Sequence, residues 1–241
     1  MLAVLAGMTV LLCLALLPRA QALGLGSARR GLRSRARSAA TLPLRAAPAA
    51  SRASLATPDP VQSESLIRIK NTHRKYPIDT VKVRAQVASI QAILGVADFQ
   101  VDVWFCSDSK IRELNSEWRE KNKSTDVLSF PANEFKSPGV FDYEADPTLQ
   151  FEKHLGDIVI SPAYVQRQSE RDEKDKARLI TDNIEDRGVS LAMSTTFALE
   201  ERISLLLVHG MIHLLGYDHE NTKDWKVMTK KEEEVMEKLG R

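Results

Sequence analysis

The sequence predicts an α+β fold, a small mixed β-sheet of about four strands packed with about five helices in the order βαβαββααα. Short stretches alternating apolar and polar residues lie between longer stretches whose apolar residues recur three and four positions apart. Gly, Pro, Asn and Asp clusters separate them. The composition, 43% hydrophobic and 27% charged, is that of a globular domain with an ordinary core.

Leu66–Lys70 alternates and reads as the first strand. Pro77-Ile78-Asp79 introduces a helix with Val83, Val87, Ile90 and Leu94 on one face, stopped by Gly95. Phe99–Phe105 alternates strictly and reads as a strand, with Trp104 as a core residue. Ser107 or Asp108 can cap the next helix, which places Ile111, Leu114 and Trp118 together. Val127–Phe130 is a short strand closed by Pro131, and 132–153 reads as a loop. Leu155–Ile160 is a further strand, after which Ser161-Pro162 starts a charged helix running to about Ile180. Thr181–Gly188 reads as a linker. Leu199–Leu215 is a long apolar helix ended by Gly216, and Thr222–Leu239 is a final amphipathic one. There is no internal repeat.

The first 57 residues do not fit this body. They hold eight arginines and no acid; the first acid is Asp59. Met1–Leu17 is apolar and uncharged, too short for a membrane span, and Ala20-x-Ala22 has the form of a signal-peptidase site. The Arg/Ser/Ala-rich stretch over 23–57 has transit-peptide composition. Residues 1–57 are therefore expected to be a cleaved presequence and 58–241 the single functional domain, in the plastid stroma, with the mitochondrion as the alternative. Without those arginines, 26 cations face 32 acids. A body of that charge is no general nucleic-acid binder, so any RNA-binding surface must be local. Of the two cysteines, Cys13 lies in the presequence, which leaves Cys106 and excludes a disulfide framework or a cysteine-rich zinc module.

Three of the five histidines fall within eleven residues, His209, His213 and His219. Positions i and i+4 share one helix face, so His209 and His213 can reach one ion. Gly216 can end the helix and turn the chain back, which brings His219 to the same point. Three histidines with an open fourth position are the arrangement of a catalytic rather than a structural zinc. A water on such an ion ionises near pH 7. The spacing H-x-x-x-H-x-x-G-x-x-H is also that of metzincin proteases, which need Glu directly after the first histidine as general base. Gly210 stands there, so a protease would need a carboxylate from elsewhere, such as Glu220.

His209-Gly210-Met211-Ile212-His213-Leu214-Leu215-Gly216-Tyr217-Asp218-His219 resembles the signature of the YbeY endoribonucleases. Glu113-Leu114-Asn115, Trp118-Arg119 and Ser124–Pro131 resemble that family's second block, and Leu155–Ser161 its third. The resemblance covers about residues 64–240. It implies a zinc-dependent, single-strand-specific endoribonuclease with one Zn2+ held by His209, His213 and His219. It further implies that Arg119 is catalytic and stabilises phosphate charge as zinc-bound water attacks the RNA backbone. The implied partners are precursor small-subunit rRNA, the small ribosomal subunit and its proteins, with a role in rRNA maturation and ribosome quality control. No stable membrane association is expected after processing.

Asp126 and Asp157 read as turn or strand-end residues in preference to cleft hydrogen-bonders. Asp218 reads equally as a turn residue or as an acceptor orienting an imidazole. The segments 132–153 and 171–198 are long for the family and bear on partners more than on chemistry. Two other functions fit the histidines: a zinc metalloprotease lacking its usual base, and a non-catalytic ribosome-assembly factor stabilised by zinc.

Overall fold

A computed structural model describes residues 66–143, 153–175 and 188–241. Strand β1 (Ile67–Asn71) pairs in parallel with β2 (Gln100–Phe105), and β2 in parallel with β6 (His154–Ile160). Strand β3 (Val127–Pro131) runs antiparallel to β6, which gives a mixed sheet of order β1-β2-β6-β3. Parallel neighbours need crossovers, and the first is helix α1 (Thr80–Leu94), capped by Asp79 through the Val81 and Lys82 amides and ended at Gly95. Helix α2 (Asp108–Arg119) follows β2, with Ser107 as its cap.

Alternation along the strands gives the sheet two different faces. Val101, Val103, Phe105, Ile158 and Ile160 belong to the main core with Val87 and Ile90 of α1. Leu128 and Val159 face the other way and pack with Ile111 and Leu114 of α2. Complete burial of side chains such as Phe105 and Leu206 stabilises by about 1.5–3 kcal/mol each.

The main core is organised around helix α5 (Leu199–Leu214), buried from Arg202 to Leu214. It lies on β3 and β6 and is surrounded by α1, α3 (Pro162–Lys174), α4 (Gly188–Thr195) and α6 (Thr222–Lys238). Arg202 is fully buried in its first turn. Its guanidinium donates to the Thr196 carbonyl (2.6 Å) and the Met193 carbonyl (2.9 Å), and pairs with Asp172 (2.7 Å). A buried charge needs such partners, and these tie α3 and the end of α4 to the start of α5.

The sheet and the long helices lie where the sequence places them; four readings change. The stretch after Pro131 is not simply a loop: β4 (Phe135–Ser137) and β5 (Val140–Phe141) form a hairpin. Phe141 stacks on Phe99 at 4.7 Å, and that burial orders the segment. Helix α4 begins at Gly188, the last residue of the expected linker, and runs through a stretch assigned to no element, which makes six described helices instead of about five. It spans only eight residues, and its buried Val189 and Met193 are too few to set a period. Ser161 precedes α3 but does not cap it; its Oγ donates to Asp108 (2.6 Å). Trp104 sits at the rim of the α2 cluster, half-buried, its Nε1 donating to Thr72 Oγ1 (2.9 Å) under the Lys70 ammonium. The expected presequence, most of the linker and the end of the charged helix lie outside the described residues. Among the described residues no helix is long and apolar enough to cross a membrane.

Candidate metal centre

The last two turns of α5 present His209 and His213 one turn apart, both buried. Gly216 then takes φ +78°, a conformation that favours glycine. A side chain there would also strike the Phe135 ring at 2.7 Å. The β4–β5 hairpin clasps this turn, with the Gly139 amide donating to the Leu215 carbonyl (2.8 Å). Held in this way, the chain reverses and brings in His219. One ring nitrogen from each histidine lies within 4.8 Å of the others.

Hydrogen bonds fix which nitrogens face inward. Nδ1 of His213 meets the Tyr217 carbonyl at 2.9 Å, and a carbonyl only accepts, so Nδ1 carries the proton. Nδ1 of His209 meets Glu232 Oε1 at 2.6 Å. Burial raises the Glu232 carboxyl to about 7; with that group ionised it accepts from Nδ1 of His209, and the Nε2 atoms of the two rings then point lone pairs at each other across 3.1 Å. The His219 Nε2 is buried without a hydrogen-bond partner. Converging lone pairs repel unless a cation lies among them. Burial pushes His209 and His213 well below the ordinary imidazole value, and the neighbouring imidazoles push in the same direction. Neutral imidazoles with their outer nitrogens hydrogen-bonded are the ligand state that zinc takes. The residues fit the ion expected from their spacing.

Arg119 ends α2, and its positive charge reaches the centre, acting on both His213 and Asp218. It is half-buried, and the next residue, Glu120, turns the chain away at φ +56°. The structure therefore brings the three histidines together, and the charge of Arg119, at the end of α2, acts on the same group of residues.

Gly210 does not face the centre. A Cβ there would come within 3.1 Å of Ile158 and 3.2 Å of Ser129 Oγ, so the position is filled by the sheet. A side chain at this position would point at the sheet and not at the histidines, and Glu220 is exposed. Asp126 is fully buried at the start of β3, accepting from Thr125 Oγ1 and the Val127 amide, each at 2.9 Å. Asp157 lies on the sheet face opposite α5, opposite Asp102 in register. Asp218 accepts from the His219 amide (2.7 Å) and so is a turn residue. Cys106 is buried, and burial pushes its thiol up to about 12, so it stays protonated.

The groups that orient the imidazoles are Glu232 and the Tyr217 carbonyl, and sequence reasoning missed both. A backbone carbonyl leaves no mark in sequence. Glu232 does leave one: it shares the buried stripe of α6 with Met228, Val235 and Met236, where an acid is out of place.

Fold and site together define an α+β protein with a three-histidine centre able to hold a single cation. The family model for endoribonuclease YbeY matches residues 68–181 and 186–240, and the chain belongs to that family. It is similar to the human protein named endoribonuclease YbeY, 31% identical over 72% of this chain and 87% of that one. It is similar to the endoribonuclease YbeY of Caldanaerobacter subterraneus subsp. tengcongensis, 36% identical over 68% and 88% of the two chains. Against that of Caldicellulosiruptor bescii the values are 33%, 72% and 97%. A solution structure of a Thermotoga maritima protein aligns with 72% of this chain and 91% of its own, at 22% identity and a TM-score of 0.39.

Proposed function

We propose that the chain is a zinc-dependent, single-strand-specific endoribonuclease that matures small-subunit rRNA and serves ribosome quality control in an organelle. One observation carries the chemistry: two imidazole lone pairs converge at 3.1 Å beside a third imidazole whose Nε2 is buried without a partner. His209, His213 and His219 would hold the ion. A zinc ion bound there would supply a Lewis acid and a water acidic enough to act as nucleophile near neutral pH. Glu232 and the Tyr217 carbonyl keep Nδ1 of His209 and His213 protonated and their Nε2 atoms directed inward. Arg119 holds a phosphate beside the histidines and offsets the charge that builds on it during cleavage. Gly210 packs on the sheet, so the position after His209 that carries the protease base supplies none here.

Metal analysis of the purified protein, paired with cleavage of single-stranded and duplex RNA before and after chelation, tests this reading. Stoichiometric zinc is expected, with single strands cut preferentially and activity lost on chelation and restored by zinc. Chelator-insensitive cleavage, or casein cut while RNA stays intact, would overturn it. A folded His209→Ala protein that supports rRNA processing would make the centre a scaffold.

The acid-free, arginine-bearing composition of residues 1–57 supports their removal as a presequence and import into a plastid, with the mitochondrion as the alternative destination. Mass spectrometry of the mature N-terminus and the location of a fluorescent fusion test both. A mature protein that begins at Met1 would end this part of the proposal.

A further inference from the structure

We infer that Glu232 is a positioning residue for the metal centre and that the N-terminus of α4 sets Glu232, so that residues outside the ligand set govern how tightly the ion is held. The inference rests on the zinc reading above.

Glu232 projects from the buried face of α6 and is 4% exposed. Its two oxygens serve two elements. Oε1 accepts from Nδ1 of His209 at 2.6 Å, and Oε2 accepts from the Val189 amide at 3.0 Å. That amide belongs to the first turn of α4, whose N–H groups have no partner within the helix. The carboxylate therefore caps one helix while orienting a side chain on another. Gly188 closes the arrangement from the third side. A Cβ at this residue, which takes φ +60°, would lie 2.4 Å from Oε2 and 3.2 Å from Glu232 Cβ. The carboxylate is thus fixed at both oxygens and along its flank.

The consequence for His209 is specific. With Nδ1–H committed to a carboxylate, the ring cannot flip or shift its proton, and the Nε2 lone pair stays directed at His213. The negative charge also makes that nitrogen more basic, and removal of such a partner costs about 10–100-fold in metal affinity. Glutamine cannot replace it. Both donors facing position 232 need acceptors, and an amide offers one oxygen and one NH2 group.

Chelator-buffered zinc titration of the full chain and of Glu232→Gln and Gly188→Ala tests the coupling, with melting of each metal-free protein and 15N spectra of labelled histidine. Glu232→Gln is expected to bind zinc about 10–100-fold more weakly, with His209 no longer held as the Nδ1–H form. Gly188→Ala, which removes no polar atom, should weaken zinc through displacement of Oε2. Because both act through one contact, the double variant should bind no more weakly than Glu232→Gln alone. Zinc affinity within about twofold of the parent in a folded Glu232→Gln protein would overturn the inference, as would fully additive losses. If Glu232→Gln does not fold, Glu232→Asp, which keeps the charge and loses the reach, decides by the same criterion. A parent protein that binds no zinc would instead end the underlying reading.

Discussion

The histidine cluster at the end of α5 and the Arg68–Asp102–His154–Asp157 cluster on the opposite face of the sheet are each built around two buried titratable groups, His209 and His213 in the first and Asp102 and Asp157 in the second. Their charges are settled in different ways. Arg68 grips Asp102 with Nε and Nη2 at 2.7 and 2.8 Å, and His154 lies 3.5 Å from the same carboxylate. Burial pushes Asp102 up, but His154 and Arg68 outweigh it and hold the carboxyl below its usual value. Opposite charges close that cluster on itself. In the histidine cluster the outer nitrogens are satisfied by Glu232 and Tyr217, while the inner ones face each other. The first arrangement pairs its buried Asp102 with a cation of its own; the second needs a cation from outside. Satisfied periphery around an unsatisfied centre separates a binding site from a structural ion-pair network.

The largest effect should come from removing an inner nitrogen. His213→Ala is expected to lose stoichiometric zinc and reduce RNA cleavage to background while the metal-free fold persists; zinc content by mass spectrometry checks it. Arg119→Ala should keep its zinc and lose about 10²–10³-fold in kcat/KM on single-stranded RNA, as when one charge-stabilising donor is removed from an active site. Arg119→Lys should recover only part of this, because an ammonium lacks the planar fork that fits a phosphate. Full cleavage by Arg119→Ala would remove Arg119 from the mechanism.

How much of the contrast was legible in the sequence follows from its physics. The i, i+4 histidines and Gly216 are local features, and helix periodicity alone brings the first two together. The sheet was legible because β1 and β2 alternate apolar and polar residues, while β3 and β6 are short apolar runs bounded by turn residues. Arg119 was not legible from spacing: it ends α2, far in sequence from the histidines its charge acts on, and only the resemblance of its surrounding block pointed to it. Glu232 contacts His209 across 23 residues of chain, through the docking of α6, which no local pattern encodes. Helix α4 and the β4–β5 hairpin were missed for a related reason. Both are short, and tertiary contacts such as Arg202 with Met193 and Phe141 with Phe99 order them.

Opening the closed cluster should cost stability and leave the metal untouched. Arg68→Ala deprives Asp102, 3% exposed, of its bidentate partner. A loss of about 1–3 kcal/mol is expected, the cost of a buried acceptor left short of partners. Urea unfolding measures the loss, and zinc titration should give the parent affinity. A large drop in zinc binding would show that the two clusters are not independent.

The smallest effect separates the members of the closed cluster. Asp157 is the buried acid that the cluster does not hold below its ordinary value. Burial, then the neighbouring Asp102 charge, raises its carboxyl from 3.8 to about 6. Since the folded value lies above the unfolded one, the folded chain retains a proton that the unfolded chain releases between about pH 4 and 6. Asp157 therefore contributes stability below about pH 4 that disappears as pH rises through about 6. Asp157→Asn, neutral throughout, should flatten the stability profile over that window and gain on the order of 1–3 kcal/mol relative to the parent at pH 7. The measurement is the difference between the two urea-unfolding profiles, in which contributions common to both proteins cancel, each taken with chelator to silence the histidine centre. Parallel profiles would show that Asp157 is ionised in the folded state like an ordinary carboxylate. In that case Arg68 and His154 would neutralise both aspartates, and the sheet-face cluster would be closed at every member.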